Sequence, residues 1–596
     1  MKMRAWVVLG ATFALIAGAG MPVGVAAAAE DDVPAGVVKV DDPRITYGPT
    51  PWDGLTNSED RFDYSRFRTT PGWAEIQFTG SAIDWIARRS PTSGVARVLL
   101  DGVETERVDR YAAENQFKKG MLSTASDPTG FGTHTLRIEW TADANASTAS
   151  AKSIHLDSFE ILDFSAIEGR PITATPPSAS EPYAKRSGLT LSWPQVEAAN
   201  KYYIYRSSSG QPRERVLTVE GHENTQAFDA GLEFGRTYTY DVTAVSFGGT
   251  ESQRSQTVVH QQPYLQPRSA DVSTCPPPTV VVSNTEDANA AIAAATPGTS
   301  IRLSDGVYGP LTVSHKHGSA SQMISLCGSR NAVVQAYPNP VNMNGDIGVR
   351  VYNSSFIHVN GFTITNAQKG VELRYTDDSR FYGLRIKNTA QGGMYAQKNS
   401  SNNLFAANTI SDTGLDGTIP GDGVTWFQDG RYGEGIYIGN SQGNNSCTGP
   451  CDVDNSDGNI VVWNTITNVT AEGIEAKESS TGGLIYNNTI VFSAQHEQSI
   501  YAALQVKGDD YLVMKNTVTS GLRFGMRTTT TQIGTRDWGY RNVFADNAIT
   551  LTGAIEPPEM GFYEREDRSR NVFGCDNTLA SSSPVPLHPA TTVCEK

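Results

Sequence analysis

The last half of the chain sets short apolar runs between Gly and Asn corners at a fixed period. Anchored on one apolar position, the copies fall at Val349, Val371, Met394, Ile436, Ile474, Leu504 and Met526. The unbroken steps, 349 to 371, 371 to 394 and 504 to 526, are 22 or 23 residues, and the longer steps contain insertions. A second phrase repeats as Asn408-Thr409-Ile410, Asn464-Thr465-Ile466, Asn488-Thr489-Ile490 and Asn516-Thr517-Val518, then more weakly as Asn547-Ala548-Ile549. β-Branched runs at this period predict a parallel β-helix, in which no single coil buries its apolar face but stacked coils do. The Asn at one corner predicts an internal ladder that satisfies turn groups otherwise buried unpaired.

Alternation along a strand puts i and i+2 on one face. With Ile474 inward, Glu475 and Lys477 point outward. The stacked equivalents of Glu475 are Arg350, Glu372, Tyr395, Tyr437, Gln505 and Arg527; those of Lys477 include Tyr352, Arg374, Gln397 and Lys507. Coils rise about 4.8 Å, so these side chains form an outward strip long enough for several sugar units. Two insertions flank it. Ser411–Tyr432 carries Trp426, a further substrate-binding candidate, and Ser441–Gly458 carries Cys447 and Cys451.

Upstream, alternation in Ala74–Phe78, Val95–Leu100, Thr133–Trp140 and Ile154–Glu160 predicts an all-β module over 38–165. It resembles galactose-binding-like jelly rolls in Leu99-Leu100-Asp101-Gly102, Gly132-Thr133-His134-Thr135-Leu136 and Leu156-Asp157-Ser158-Phe159. Residues 171–184 read as a Pro/Ser/Thr-rich linker. Residues 185–265 resemble a fibronectin type III module, with Leu189-Thr190-Leu191-Ser192-Trp193 as its second strand and Arg236–Val245 as the strand bearing its corner tyrosine. The fold class expected is all-β, a right-handed parallel β-helix over 275–596 preceded by two β-sandwich modules. An Ala-rich helix over Ala288–Ala295 is expected to cap its first coil.

Composition narrows the partners. The 596 residues carry a formal net charge of −15, which argues against nucleic acid but leaves room for a local basic cleft. Met1–Ala29 reads as a signal peptide, with Lys2 and Arg4 before an apolar run and Ala27-Ala28-Ala29 at the cleavage site. A secreted, extracellular monomer with no membrane partner is expected, and the resemblance to galactose-binding-like jelly rolls implies a polysaccharide partner. Six cysteines suit an oxidising compartment. Of the fifteen pairings they allow, neighbourhood favours Cys275–Cys327, Cys447–Cys451 and Cys575–Cys594.

The phrase Glu472-Gly473-Ile474-Glu475-Ala476-Lys477 resembles the acidic-x-x-x-x-Lys phrase of β-helical polysaccharide lyases of families six and nine. The resemblance implies Lys477 as Brønsted base, Glu472 and Glu434 as calcium ligands, and Lys507 as the group that neutralises a uronate carboxylate. A lysine serves as base only if its pKa falls toward working pH, and a neighbouring cation, Lys507 or calcium, is expected to lower it. Glu434, Glu472 and Glu475 also supply enough acids for a glycoside hydrolase. A glycan-binding protein without turnover is the third possibility.

Overall fold

The computed structural model describes residues 36–56, 64–116, 131–143, 153–208, 210–263, 274–339, 343, 345–415, 433–441, 454–492, 502–521, 524–533, 536–552, 560–564, 571–574, 576–581 and 584–587. The Met1–Ala29 signal, Trp426 and the cysteines 447, 451, 575 and 594 lie outside these residues. The Cys275–Cys327 bond is present, with Cα atoms 6.2 Å apart. Among the described residues no helix is long and apolar enough to cross a membrane.

The chain divides into two compact units. The N-terminal unit contains a five-stranded sheet whose outer members are Ile45–Gly48 and Val103–Asp109, together with shorter three-stranded sheets. Trp52 and Trp85 fill its core. His155 is buried there, its ring against Ser153 Oγ at 3.1 Å. Burial pushes its pKa down to about 3, helped by Arg88 and Arg110. The unfolded chain therefore takes up a proton below about pH 6.5 that the folded unit refuses. Stability should fall as pH drops from about 6.5 toward 3, by up to about 4 kcal/mol. Tryptophan fluorescence against denaturant at several pH values tests this; an equal slope in His155→Gln would refute it.

The second unit holds the remaining modules. Seven strands form a sandwich of a three-stranded and a four-stranded sheet, the division of a fibronectin type III fold. The 171–184 segment, read from its composition as a linker, supplies the strand Thr173–Thr175, which pairs with Leu189–Ser192. The module lies on the β-helix rather than spacing it. Tyr183 and Ala184 pack with Leu404, Leu484 and Leu512, Phe234 meets Tyr486 edge-on at 6.2 Å, and Lys515 pairs with Glu233.

Three parallel sheets of eleven, ten and nine described strands build the β-helix. The first begins at Val280–Val282, the second at Gly306–Tyr308 and the third at Leu311–Ser314. In the third sheet the anchors pair in unbroken register, Val349 on Val371, Met394, Ile436, Ile474, Leu504 and Met526, all fully buried. The helix Thr285–Ala294 is capped by Asn284, which accepts from Asp287 N at 2.9 Å, and it sets Ala288 and Ile292 on the core of the first coil.

Two columns hold the coils together. From Asn408 through Asn464, Asn488, Asn516 and Asn547 to Asn577, each backbone N–H donates to the next Asn Oδ1 at 2.9–3.0 Å. Each side-chain amide donates to that same oxygen. A glycine column precedes the third sheet. A Cβ on Gly435 would lie 2.5 Å from the Gly473 carbonyl oxygen and 2.6 Å from Ile466 Cγ2, and Gly393 and Gly473 are similarly confined. At these three coils the corner is closed to a side chain, and in the next coil the same position is held by the buried methyl of Ala503.

Candidate active site

The outer face of the third sheet carries a connected polar network. The registered column is Arg350, Glu372, Tyr395, Tyr437, Glu475, Gln505 and Arg527. These side chains point away from the coil core, yet several are sealed from water: Glu475 is 1% exposed and Lys477 9%. A solvated face is excluded at these positions.

Glu475 is the centre. Its Oε1 receives Lys477 Nζ at 2.5 Å, Lys507 Nζ at 2.9 Å and Gln505 Nε2 at 2.8 Å. Burial opposes its ionisation, but Lys477 and then Lys507 outweigh burial and hold its pKa at about 2. One carboxylate oxygen from each of Glu434, Glu472 and Glu475 lies within 4.8 Å of the other two. Three acids this close cannot all ionise cheaply. Burial, then Glu475, raises Glu472 to about 8; the same two causes raise Glu434.

Two tyrosines roof the cluster. Tyr395 and Tyr437 stack with centroids 4.9 Å apart. The Tyr395 hydroxyl donates to Glu434 Oε2 at 2.5 Å, and Gly433 N reaches the same oxygen at 3.1 Å. Lys477 Nζ lies 5.2 Å from the Tyr437 ring centre. Burial above all holds the protons on both hydroxyls.

Lys477 differs from expectation in its charge. Burial favours the neutral amine, but Glu475, then Tyr437 and the other two glutamates, raise its pKa well above the ordinary value. Lys507, expected to depress it, lies on the same carboxylate oxygen instead. In the ligand-free protein Lys477 is an ammonium.

Toward the N-terminal coils, Glu372 takes Arg350, Lys369 and Arg374. Lys369, absent from the candidates drawn from sequence, links this group to the centre, because its Nζ also sits 4.4 Å from the Tyr395 ring centre. It stands two residues before its anchor Val371, the position held by Glu434 and Glu472 in their own coils, so the column carried the signal. Gln397 and Arg527 occupy the same sheet face farther from Glu475.

Glu434 and Glu472 are the residues that would hold calcium. Carboxylate oxygens are its preferred donors, and among the described residues both nearby lysines are paired to Glu475, with no ion pair to Glu434 or Glu472.

No curated protein matches the chain. Among solved structures, an alginate lyase from Paenibacillus sp. str. FPU-7 aligns at 22% identity over 52% of this chain and 98% of that one, with a TM-score of 0.44. The exopolygalacturonase of Yersinia enterocolitica aligns at 14% identity over 69% and 86%, with a TM-score of 0.29. A Fn3-like protein from Clostridium thermocellum aligns at 30% over 16% and 93%, with a TM-score of 0.13. Residues 305–463 match the family model described as a right handed beta helix region, and with its three parallel sheets the C-terminal part of this chain is a right-handed parallel β-helix.

Proposed function

We propose that the protein is a secreted lyase that cleaves a uronate-containing polysaccharide by β-elimination, with Lys477 as base. The observation that carries this is the convergence of Lys477 and Lys507 on one carboxylate oxygen under a tyrosine pair. A lysine pair arranged for one carboxylate suits a uronate group, whose charge must be neutralised before its C5 proton becomes acidic; Lys507 supplies that charge once Lys477 is neutral. Lys477, as the neutral amine, takes that proton. The electron pair forms the C4–C5 double bond and the C4–O bond breaks. The Tyr437 hydroxyl, which burial keeps protonated, gives its proton to the leaving oxygen. Lys507 and Gln505 hold the carboxylate.

Calcium at Glu434 and Glu472 would bring positive charge beside Lys477 and favour its neutral form. Export is supported by the Met1–Ala29 pattern and the Cys275–Cys327 bond.

A retaining glycoside hydrolase is the second reading, and one observation favours it. Glu472 is held protonated to about pH 8 while Glu475 is ionised above about 2, the division between an acid and a nucleophile.

The pH dependence of kcat/KM separates the two, because it reports the free enzyme. For a lyase it climbs above neutral, by about tenfold per pH unit, since Glu475 keeps Lys477 charged, and the product absorbs as an unsaturated uronide. For a hydrolase it falls above about pH 8 as Glu472 loses its proton, and reducing ends form without that absorbance. A falling alkaline limb with a saturated product refutes elimination.

A further inference from the structure

Glu372 lies three coils from Glu475 on the same outer face, through Tyr395 and Tyr437. At about 4.8 Å per coil the separation is about 14 Å. Glu372 is 2% exposed and is met by Lys369 Nζ at 2.9 Å, Arg374 Nη2 at 3.0 Å and Arg350 Nε at 3.2 Å. One buried carboxylate needs one cation, and Lys369, itself 12% exposed, supplies it from within the network. The two arginines are surplus to that need. Their side chains stay 43% and 44% exposed: Glu372 holds Arg350 by its Nε and Arg374 by its Nη2, and each guanidinium keeps further donors for a ligand.

An aromatic patch stands beside them. Tyr352, on the same face as Arg350, is 37% exposed and Tyr375 44%. The two rings meet edge-on at 5.8 Å, and His315 meets Tyr352 at 5.5 Å. Tyr375 has φ +52°, in the region bulky residues avoid. The corresponding corner one coil earlier is Asn353, the residue type that tolerates it. An exposed aromatic face beside forked guanidinium groups matches both halves of an acidic sugar, its ring face and its carboxylate.

We propose that Arg350, Arg374 and Tyr352 form a distal subsite that binds an acidic sugar residue of the chain being cleaved. The subsite deepens the elimination proposed above and names the substrate as a polyanion long enough to reach three coils. The arginines take the carboxylate and Tyr352 takes the ring face. Affinity then rises with chain length until the substrate spans the two regions.

The test is equilibrium binding by calorimetry with the full chain, in a Lys477→Ala background that slows cleavage, with each probe checked for intactness after the titration. The probes are di- and octasaccharides of galacturonate and mannuronate, with a neutral xylo-octasaccharide as control. Arg350→Ala/Arg374→Ala should weaken the acidic octasaccharide by about tenfold or more, the order for a lost charge-assisted pair, and change disaccharide binding less than about twofold. Tyr352→Ala, an exposed position, should weaken the octasaccharide by about threefold or more; it and Arg374→Gln serve if the double variant does not fold. Unchanged octasaccharide affinity in the folded variants, or neutral and acidic octasaccharides binding alike, overturns the subsite. Lack of unsaturated product from the wild type overturns elimination instead, and the binding data then still decide the subsite.

Discussion

Lys477→Ala is expected to lower turnover on the best uronate polymer by about a hundredfold or more, the usual order for a lost general base. Stability also changes, because Lys477 is buried and ion-paired rather than a loose surface group. Removing it leaves Glu475 with Lys507 and Gln505, so the loss should be about 1–3 kcal/mol rather than the larger cost of stranding a buried charge. Lys477→Arg separates charge from basicity. It keeps a cation beside Glu475 and most of the stability, yet a guanidinium stays protonated and cannot accept the C5 proton. The expected outcome is a folded, substrate-binding and inactive protein. Near wild-type turnover in either variant removes Lys477 from the base role, and Glu472→Gln and Glu475→Gln would then test a hydrolase.

Asn488→Ala should strongly destabilise the β-helix corner. Asn488 Oδ1 accepts from both the backbone N and the side-chain amide of Asn464. Its own amide donates to Val461 O and to Asn516 Oδ1. Alanine strands several buried groups at once, each costing about 1–3 kcal/mol, so a loss of about 3 kcal/mol or more is expected. Asn488→Asp keeps the shape and the acceptor but removes the donors, and should fall between. The denaturant midpoint of the β-helix measures both, and a loss below about 1 kcal/mol in Asn488→Ala would show that the ladder is dispensable.

The register of the third sheet was legible because side-chain alternation has a period of two and the anchors repeat wherever coils are uninterrupted. The alignment of Arg350, Glu372, Tyr395, Tyr437, Glu475 and Gln505 thus follows from the sequence alone. Their environment does not. Whether an outward glutamate is wet or sealed depends on what lies over it, and Glu475 owes its burial and its low pKa to groups from neighbouring coils. The same non-locality hid the charge of Lys477, which follows from Oε1 being shared with Lys507. Lys369 shares the position two before the anchor with Glu434 and Glu472, but its place in the network rests on reaching Glu372 and the Tyr395 ring of the next coil, which local sequence does not show. The docking of the fibronectin-like module was hidden as well. It shows only once the outer face of the first sheet, with Leu404, Leu484 and Leu512, is seen to be apolar.

Stacked coils touch only their neighbours, so the β-helix behaves as a one-dimensional array that frays from its ends. The coils bearing Ile436, Ile474 and Leu504 are the fifth, sixth and seventh of the nine described strands of the third sheet. Loss of a terminal coil shortens the array without reaching them. Backbone amide exchange should therefore slow from either end toward Glu475, and the chain could gain or shed whole coils at its ends over evolutionary time while the buried glutamate–lysine cluster stayed in a protected turn.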